Sequence, residues 1–454
     1  AEKFLLGRID YERTVSMPCS EEFLKLGRMR ELVERLGRPQ DRLPIVHIAG
    51  TKGKGSTAAL IASILTAAGY RTGLFTSPHL ERVEERIVLD GRQCPTEEFA
   101  ALIEQVRPVI EQMDLEAAAL QPPEQGPTYF EILTALALCH FARRGATAAV
   151  LEVGLGGRLD STNVCQPCVS IITSISFDHT KQLGNTLAAI AGEKAGIIKP
   201  GVPVISGVTE AEPRDVIRRV AEEHACRLIE LGRDFCFEYQ PPRHLEQAAT
   251  PGRFDFYTTG LDRPLYQALP VALPGHHQAT NAAVALAAVE ELRQTGWTIS
   301  RSSIEQGLSS LTWPARVEVV ARRPCVVLDA AHNVASIAVL VKSLEDSFVA
   351  RQRLLIFATT QEKDVRGMLE LLLGRFDRVF FTQYQKNPRA VPAHELQALA
   401  QQLTGNEYPA FAAPADAWAA AEQLATAEDL ICITGSFFLA AEMRALAVRP
   451  LTSG

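Results

Sequence analysis

Short apolar strands alternate with helical segments along most of this chain. The stretch "PIVHIAG" is one such strand, and "RTGLF", "ATAAVLEVG", "CVSIITSISF" and "VPVISG" follow it with helices between them. This alternation predicts a parallel sheet with helices on both faces, because parallel strands need long crossover connections. In sheets of this kind, ligands bind at the carboxyl ends of the strands.

The stretch "HIAGTKGKGSTAAL" (47–60) combines an apolar strand, a glycine-rich turn and a helix. A helix N-terminus of this kind presents backbone N–H groups to phosphate. The regular Walker A pattern is not met, since it would require Ser or Thr at Gly55 and Gly at Ile48. A plain structural turn is therefore the alternative.

We interpret the turn as a phosphate-binding loop, because glycines, a lysine and hydroxyl groups coincide there after an apolar strand. Lys54 is placed to meet the phosphate charge, and Lys52 adds a second cation. Ser56 and Thr57 are predicted to cap the helix that follows.

Polar side chains follow several of the predicted strands. Glu152 ends "ATAAVLE", Ser77 and His79 lie in "TSPHL", and Asp178 and His179 lie in "SFDHTKQLG". Carboxylate and other hard oxygen ligands suit Mg²⁺, which also bridges phosphates. These residues are candidates for a metal and phosphate site, although a salt-bridged Glu152 and surface histidines remain the alternative.

Two other short motifs have ordinary interpretations. Glu193 and Lys194 in "GEKAGIIK" are expected to form a solvated pair on a helix. Cys165 and Cys168 in "CQPC" mimic a redox or metal motif, but they precede a strand instead of opening a helix. We interpret that pair as structural.

The strand–helix rhythm stops and then restarts, which predicts two domains. The region from Leu231 to Pro274 is rich in prolines and aromatic residues and predicts antiparallel strands and turns. An alanine-rich helix ends at Gly296, after which "CVVLDAAHN", "RLLIFATT", "RVFFTQY" and "LICITGS" predict further strands. We predict an N-terminal parallel-sheet domain of the P-loop type (1–298) and a smaller Rossmann-like α/β domain (299–454). The smaller domain carries its own polar cluster, consisting of Arg316 in "WPARVE" and of Asp329, His332 and Asn333 in "LDAAHN".

Composition narrows the class of protein. The net charge of −7 disfavours a general nucleic-acid binder. No apolar run reaches the roughly 18–20 residues of a membrane span, and "AEKFLLGRIDYERTVS" lacks a secretory core. The odd number of cysteines, nine, favours a reducing compartment. We therefore expect a cytoplasmic monomer that acts on small molecules and binds neither nucleic acid nor membranes.

Taken together, these motifs resemble the folylpolyglutamate synthase and dihydrofolate synthase family within the ATP-dependent Mur ligases. The stretches that carry the resemblance run in order along the chain: "HIAGTKGKGST", "LFTSPHL", "TYFEILTALAL", "EVGLGGRLDSTN", "TSISFDHTKQLG", "EKAGIIK", "HHQATNAAVALAA", "WPARVE" and "LDAAHN". The resemblance implies that the N-terminal domain is an ATPase domain. It also implies ATP-dependent addition of L-glutamate to tetrahydrofolate, to dihydropteroate or to both, through an acyl phosphate.

The resemblance also implies roles for individual residues. Those implied to contact ATP are Gly53, Lys54, Gly55, Ser56, Asn281, Arg316 and Asp329. Those implied to bind two Mg²⁺ ions are Ser77, Glu152, His179 and Lys194, the last as a carbamylated lysine. The pterin-binding positions are Thr128, Phe130, Leu159, Asp160 and Ser161, and the catalytic residues are Lys54, Lys194 and His332.

The chain departs from the family pattern at three positions. The family usually has Asn where this chain has Lys52, Gly where it has Ala315 and Pro where it has Val334. Lys52 therefore adds a charge, and Ala315 and Val334 alter the turn geometry. Two alternatives remain: another Mur-type amino-acid ligase, which "TYFE" and "RLDSTN" disfavour, and a P-loop protein that holds nucleotide without ligating anything. The second alternative should lack the polar cluster of the C-terminal domain.

Overall fold

A computed structural model of the chain describes residues 2–9 and 26–448. The sequence also predicts an amphipathic helix in "FLKLGRMRELVERLG" (23–37), and part of that stretch lies outside the described residues. Its described part is helical from Leu26 to Arg35. Half of the N-terminal stretch "AEKFLLGRIDYERTVS" (1–16) also lies outside them.

The elements that precede the proline-rich region are, in chain order, α1 (Glu2–Leu6), α2 (Leu26–Arg35), β1 (Ile45–Ala49), α3 (Lys54–Ala67), β2 (Thr72–Phe75), β3 (Ile87–Leu89), β4 (Arg92–Gln93), α4 (Thr96–Ala119), α5 (Tyr129–Arg143), β5 (Ala148–Glu152), β6 (Val169–Ile172), α6 (Thr180–Leu183), α7 (Leu187–Ala195), β7 (Val204–Ser206), α8 (Ala211–Glu223) and β8 (Leu228–Glu230). Short 3₁₀ helices cover Pro39–Arg42, Val83–Arg86 and Ser161–Val164.

The remaining elements are β9 (Phe235–Gln240), β10 (Gly252–Thr258), β11 (Tyr266–Val271), α9 (His276–Gln294), α10 (Arg301–Ser310), β12 (Glu318–Arg322), β13 (Cys325–Leu328), α11 (Val334–Ser347), β14 (Arg353–Phe357), α12 (Val365–Leu372), β15 (Arg378–Phe381), α13 (Ala393–Thr404), α14 (Pro414–Leu424), β16 (Leu430–Thr434) and α15 (Phe437–Ala447).

Eight strands form the first sheet, in the order β4-β3-β2-β5-β1-β6-β7-β8. All pairs from β2 to β8 are parallel, which confirms the predicted architecture. The central strands β1 and β5 are buried along their whole length, as expected for strands covered on both faces. The antiparallel edge formed by β3 and β4 was not predicted, because two- and three-residue strands give no periodic signal.

Helix α3 begins one turn earlier than the sequence suggested. Its N-cap is Gly53 and its first residue is Lys54, so Ser56 and Thr57 lie inside the first turn and do not cap it. From the sequence, Thr96 is predicted to cap α4, but this was wrong by one position, because Pro95 is the N-cap and Thr96 is already helical. Both shifts place helix ends closer to the preceding strands.

The proline-rich region between the two βα segments contains strands, as predicted. β9, β10 and β11 form a three-stranded sheet in the order β11-β10-β9. The last sheet has five strands, in the order β12-β13-β16-β14-β15. Its strands from β13 to β15 are parallel, and β12 pairs with β13 in the antiparallel direction.

The described chain divides into two compact units. Of the described residues, the first unit comprises 2–9, 26–238, 255–269 and 280–311, and the second comprises 239–254, 270–279 and 312–448. Helix α10 therefore belongs to the first unit, where a Cβ on Gly307 would lie 2.5 Å from the Cα of Ile64 in α3. The division at 298/299 stays a prediction about where one domain ends and the next begins.

Candidate active site

The glycine-rich turn between β1 and α3 leads into an uncapped helix N-terminus. Gly53 has the left-handed φ of 84°, and no side chain caps the helix. The first hydrogen bond of α3 runs from the Thr57 N–H to the Gly53 carbonyl at 2.9 Å. The N–H groups of Lys54, Gly55 and Ser56 precede this bond in the first turn of the helix, and N–H groups in that position form an anion site. The N–H groups of Thr51 and Lys52 in the turn donate instead to Ser174.

Asn281 of α9 lies directly against this turn, within the first unit. A Cβ on Gly53 would be only 2.2 Å from Asn281 Oδ1. Because Gly53 has no side chain, it can adopt the left-handed backbone conformation and also leaves room for the Asn281 amide. Gly53 and Asn281 are thus adjacent, although 228 positions separate them in the sequence. The resemblance assigns both residues to the same nucleotide.

Lys54 is half-buried at the start of α3. Burial lowers its pKa, and the negative charge of Glu152 opposes that shift. Glu152 itself is buried at the carboxyl end of β5, with 4% of its surface exposed. Its Oε2 atom accepts a 3.1 Å hydrogen bond from the Ser77 N–H. A lysine ammonium and a buried carboxylate thus share one end of the sheet.

Lys194 is not a solvated partner of Glu193, so that interpretation was wrong. Glu193 Oε1 instead accepts a 3.0 Å hydrogen bond from Arg158 Nε. Lys194 is 4% exposed, and its Nζ donates to the Gly50 carbonyl at 2.9 Å. Burial, assisted by the charge of Lys54, lowers the pKa of Lys194 to about 7, so the neutral amine is accessible near neutral pH.

The loop after β6 carries the remaining metal candidate. His179 has a left-handed φ of 49° at the N-cap of α6, and its side chain is largely exposed. The neighbouring Asp178 pairs with Lys52 at 2.9 Å, so the unusual lysine of the phosphate loop has an anionic partner. Among the described residues, no three His, Cys, Asp or Glu side chains form a ready metal cluster. His179 as a ligand therefore stays a prediction.

Asp160 organises the glycine-rich loop that follows β5. Its Oδ2 accepts the N–H groups of Gly154 and Leu155, both at 3.0 Å. Its Oδ1 accepts the Thr162 N–H at 3.0 Å and the Thr162 hydroxyl at 2.5 Å. Of the neighbouring pterin candidates, Leu159 is half-buried and Ser161 is buried. Contact of these residues with a substrate stays a prediction.

Thr128 and Phe130 lie at the start of α5. Thr128 is the N-cap and exchanges hydrogen bonds with Glu131 in a capping box. The ring of Phe130 lies over Gly154, where a Cβ would be 2.6 Å from its Cζ atom. Phe130 also packs against Phe75, with 5.8 Å between ring centroids. Phe130 thus forms an apolar wall beside the glycine loop, and its contact with a substrate stays a prediction.

In the second unit, Asp329 holds the turn that carries Arg316. Its Oδ2 accepts the Val317 N–H at 2.9 Å and its Oδ1 accepts the Ala331 N–H at 2.8 Å. Ala315 and Val317 both have positive φ, at 53° and 51°. Positive φ at Ala315 gives a physical reason for the glycine that the family usually has there. A nucleotide contact by Arg316 or Asp329 stays a prediction.

His332 follows in the same loop of the second unit. Its Nδ1 lies 2.9 Å from the Ala330 carbonyl oxygen. Because a carbonyl oxygen can only accept, this nitrogen carries the proton. Asn333 caps α11 through Ser336. Val334 is the first residue of that helix, a position where proline is favoured, so the departure at Val334 keeps the helix start.

The sequence interpretation missed two buried polar residues near the site. His47 on β1 is fully buried and lies 2.8 Å from Thr162. Arg86 is 1% exposed and its Nε donates to His79 Nδ1 at 2.8 Å. A histidine inside an apolar strand was a signal that could have been followed, whereas nothing local marks Arg86.

The cysteine pair of "CQPC" has no sign of redox chemistry. Burial raises the pKa of Cys165 to about 12 and also raises that of Cys168. Neither thiol is therefore poised as a thiolate. Separately, no helix among the described residues has the length and apolarity needed to span a membrane.

Comparison with known proteins gives the family. A model of the Mur ligase middle domain matches residues 48–289, and a model of the Mur ligase glutamate ligase domain matches residues 315–437. The dihydrofolate synthase/folylpolyglutamate synthase of Bacillus subtilis is 37% identical over 423 residues, which is 92% of this chain and 94% of that protein.

Solved structures agree with this assignment. A folylpolyglutamate synthase of Mycobacterium tuberculosis complexed with ADP and AMPPCP superposes with a TM-score of 0.86 at 32% identity, over 99% of this chain and 98% of that one. Escherichia coli FolC in complex with DHPP and ADP gives a TM-score of 0.81 at 30% identity, over 98% and 97%. The chain belongs to the folylpolyglutamate synthase/dihydrofolate synthase family of Mur ligases.

Proposed function

We propose that this protein is an ATP-dependent ligase that joins L-glutamate to the carboxylate of a folate. The observation that carries the proposal is the uncapped N-terminus of α3, with Lys54 beside the buried Glu152 and with Asn281 against Gly53. Tetrahydrofolate and dihydropteroate are both candidate acceptors. The named ligands of the solved relatives, ADP, AMPPCP and DHPP, support a nucleotide and a pterin-type substrate.

ATP is needed because a carboxylate is a poor acyl donor. Its carbonyl carbon is shielded by negative charge, and attack would have to expel oxide. Transfer of the γ-phosphoryl group to a carboxylate oxygen gives an acyl phosphate and ADP. The neutral amine of glutamate then attacks the acyl carbon, phosphate leaves with the C–O bonding pair, and the amine loses a proton.

The phosphoryl transfer depends mainly on positioning and charge neutralisation. The N–H groups at Gly53, Lys54, Gly55 and Ser56 would hold the phosphates, and the Lys54 ammonium would offset the charge that develops on them. From the second unit, Arg316, Asp329 and His332 are the residues proposed to reach the nucleotide or the reacting groups.

The residues at the ends of β2 and β5 fit a magnesium site. Glu152 is a buried carboxylate, and burying such a charge is costly without a compensating cation. Glu152, Ser77, His179 and Lys194 would hold Mg²⁺, which supplies charge neutralisation between phosphate oxygens. Carbamylation of Lys194 would convert a buried amine, whose pKa is lowered to about 7, into the anionic oxygen donor that such a site favours.

The pterin end of the substrate is proposed to lie along the loop that Asp160 organises. Phe130 would provide the apolar wall, and Thr128, Leu159 and Ser161 would line the same pocket. Monomeric state and cytoplasmic location remain predictions from the sequence.

Mass spectrometry of reaction mixtures tests this function. The protein is incubated with ATP, Mg²⁺ and L-glutamate, together with either dihydropteroate or tetrahydrofolate, and the products are weighed. Addition of one glutamyl residue, with release of ADP and phosphate, is expected. Glu152→Gln, which keeps the shape but loses the anionic oxygen, should bind the folate but lose Mg²⁺-dependent turnover.

Three results would count against the proposal. Ligation of a cell-wall precursor and not of a folate would assign another Mur-type activity. Nucleotide binding with no ligation of any of these acceptors would favour a binding protein. Unchanged metal dependence in Glu152→Gln would leave Glu152 with a structural role only.

A further inference from the structure

A chain of buried hydrogen bonds connects strand β1 with the glycine loop after β5. His47 Nε2 lies 2.8 Å from Thr162 Oγ1. Thr162 Oγ1 lies 2.5 Å from Asp160 Oδ1. The other oxygen of Asp160 accepts the N–H groups of Gly154 and Leu155. The three side chains that these hydrogen bonds connect are all buried, and those of His47 and Thr162 are 0% exposed.

The direction of the chain follows from donor counting. Burial raises the pKa of Asp160, and the hydrogen bonds that its carboxylate accepts oppose that shift. Each oxygen of Asp160 accepts two hydrogen bonds, so the single hydroxyl proton of Thr162 points at Asp160. Thr162 Oγ1 must then accept from His47, which places the proton of the imidazole on Nε2. His47 Nδ1 is left as a lone pair, and it has no hydrogen-bond partner among the described residues. Burial lowers the pKa of His47 to about 3, so the ring stays neutral.

His47 is well placed to fix this geometry because its backbone cannot move independently. β1 lies between β5 and β6, where His47 pairs with Leu151 on one side and Ser170 on the other. Glu152 comes directly after Leu151, and the loop held by Asp160 starts two residues later. His47, which donates the first hydrogen bond, thus lies in the middle of the sheet. At the other end, Asp160 holds the backbone at Gly154, against which Phe130 packs.

We propose that His47, acting through Thr162, is a positioning residue that orients Asp160 and the 154–157 loop toward the pteroyl substrate. This role rests on the proposed function, since it concerns the pterin end of that substrate. The alternative is a purely structural role, in which the buried His47 contributes only to stability. The two interpretations differ in whether pteroyl-substrate affinity changes selectively.

Four variants separate the interpretations. His47→Leu removes the donor and keeps an apolar volume, whereas His47→Gln can return an N–H near the position of Nε2. Thr162→Val breaks both links at once, whereas Thr162→Ser keeps the hydroxyl. KM for the pteroyl substrate, KM for ATP and kcat are measured for each, together with the melting temperature.

We expect His47→Leu and Thr162→Val each to raise the pteroyl KM about tenfold, the loss expected for one buried hydrogen bond. KM for ATP should stay within about twofold of the parent value. The double variant should be no worse than Thr162→Val alone, because both changes interrupt one chain. His47→Gln and Thr162→Ser should recover most of the affinity.

A measurement on the parent protein tests the proton direction without any turnover. The ¹⁵N spectrum of the His47 ring should show a protonated Nε2 and an unprotonated Nδ1. The opposite tautomer would contradict the proposed direction of the hydrogen bonds from His47 through Thr162 to Asp160. Equal changes in the KM values for ATP and the pteroyl substrate, or a loss of melting temperature with unchanged kinetics, would overturn the positioning role.

If His47→Leu fails to fold, Thr162→Val against Thr162→Ser decides the question by the same readouts. If the parent chain ligates no pteroyl substrate, the proposed function fails and the substrate role of His47 fails with it. The imidazole spectrum still decides the hydrogen-bond direction in that event.

Discussion

The Nζ atom of Lys194 donates a 2.9 Å hydrogen bond to the carbonyl oxygen of Gly50, the residue that follows strand β1. A lysine near the end of α7 is thereby held beneath the phosphate loop, away from its sequence neighbour Glu193. Burial and, after it, the nearby charge of Lys54 lower the pKa of Lys194 to about 7, so the neutral amine is accessible near neutral pH. Lys194 is therefore the residue whose chemistry most needs testing.

Lys194→Ala should nearly eliminate turnover, and acetate or formate should restore part of it by filling the vacated ligand position. Because the pKa of Lys194 is lowered to about 7, the neutral amine increases as the pH rises through that value. Activity of CO₂-depleted parent protein after addition of bicarbonate should therefore rise with pH across neutrality. The matched control is Lys342→Ala, on an exposed helix face, which should change stability by no more than about 0.5 kcal/mol. Full activity of untreated Lys194→Ala would remove this lysine from the site.

Lys54→Ala should abolish ligation and leave the fold intact. The loss of a charge-assisted phosphate contact should cost about 3 kcal/mol or more of transition-state stabilisation. Steady-state kinetics and a thermal melt, taken on the same preparation, check both halves of the prediction. Near-parental kcat with an unchanged melting curve would contradict a phosphate role for Lys54.

Gly53→Ala should weaken ATP binding, because its Cβ would meet Asn281 Oδ1 at 2.2 Å. Gly69→Ala is the matched control: Gly69 has a φ of 88° but nothing lies within 4 Å of its Cβ position. Both variants should lose about 1 kcal/mol of stability from a left-handed alanine. Only Gly53→Ala should raise the Kd for ATP in calorimetric titrations, and equal Kd values for the two variants would argue against the Gly53–Asn281 contact in nucleotide binding.

Ala315→Gly should leave stability almost unchanged, although Ala315 has a positive φ. Relief of a left-handed alanine, about 1–2 kcal/mol, is offset by the entropy of glycine and by loss of a buried methyl group, together of similar size. Ala225→Gly has a similar φ of 51° but is exposed, so it should stabilise by about 0.5–1 kcal/mol. Urea unfolding compares the two, and a large gain in Ala315→Gly would show that the methyl group contributes little.

His47 should make the protein lose stability in acid. Its folded pKa of about 3 lies below the ordinary value of 6.5. The unfolded chain therefore takes up a proton in that range while the folded chain does not, and stability falls as the pH drops below 6.5. The loss is on the order of 2 kcal/mol at pH 5. Urea unfolding at pH 7 and pH 5 should show a smaller pH dependence in His47→Gln than in the parent, and equal slopes would mean that other groups cause the acid loss.

Local pattern was enough to predict the architecture and to name several candidate site residues. The alternation of strands and helices, together with the strand–glycine–helix stretch at 47–60, indicated a parallel sheet with an anion site at one edge. Helix periodicity and buried strands are short-range properties, which is why β1, β5 and the helix after the phosphate loop could be read directly. The family resemblance supplied roles, such as that of Asn281, that no local pattern carries.

Only the tertiary structure decided which charges are buried and what they face. Lys194 and Glu193 are neighbours in the sequence, yet one is buried against Gly50 and the other pairs with Arg158. Lys52 was expected to add charge at the phosphates, but it pairs with Asp178 from the next strand's loop. His47, Thr162 and Asp160 form one hydrogen-bonded chain across 115 sequence positions. A pKa or a hydrogen-bond direction depends on atoms brought together by packing, so the sequence determined the strands and helices while their packing determined the chemistry at their ends.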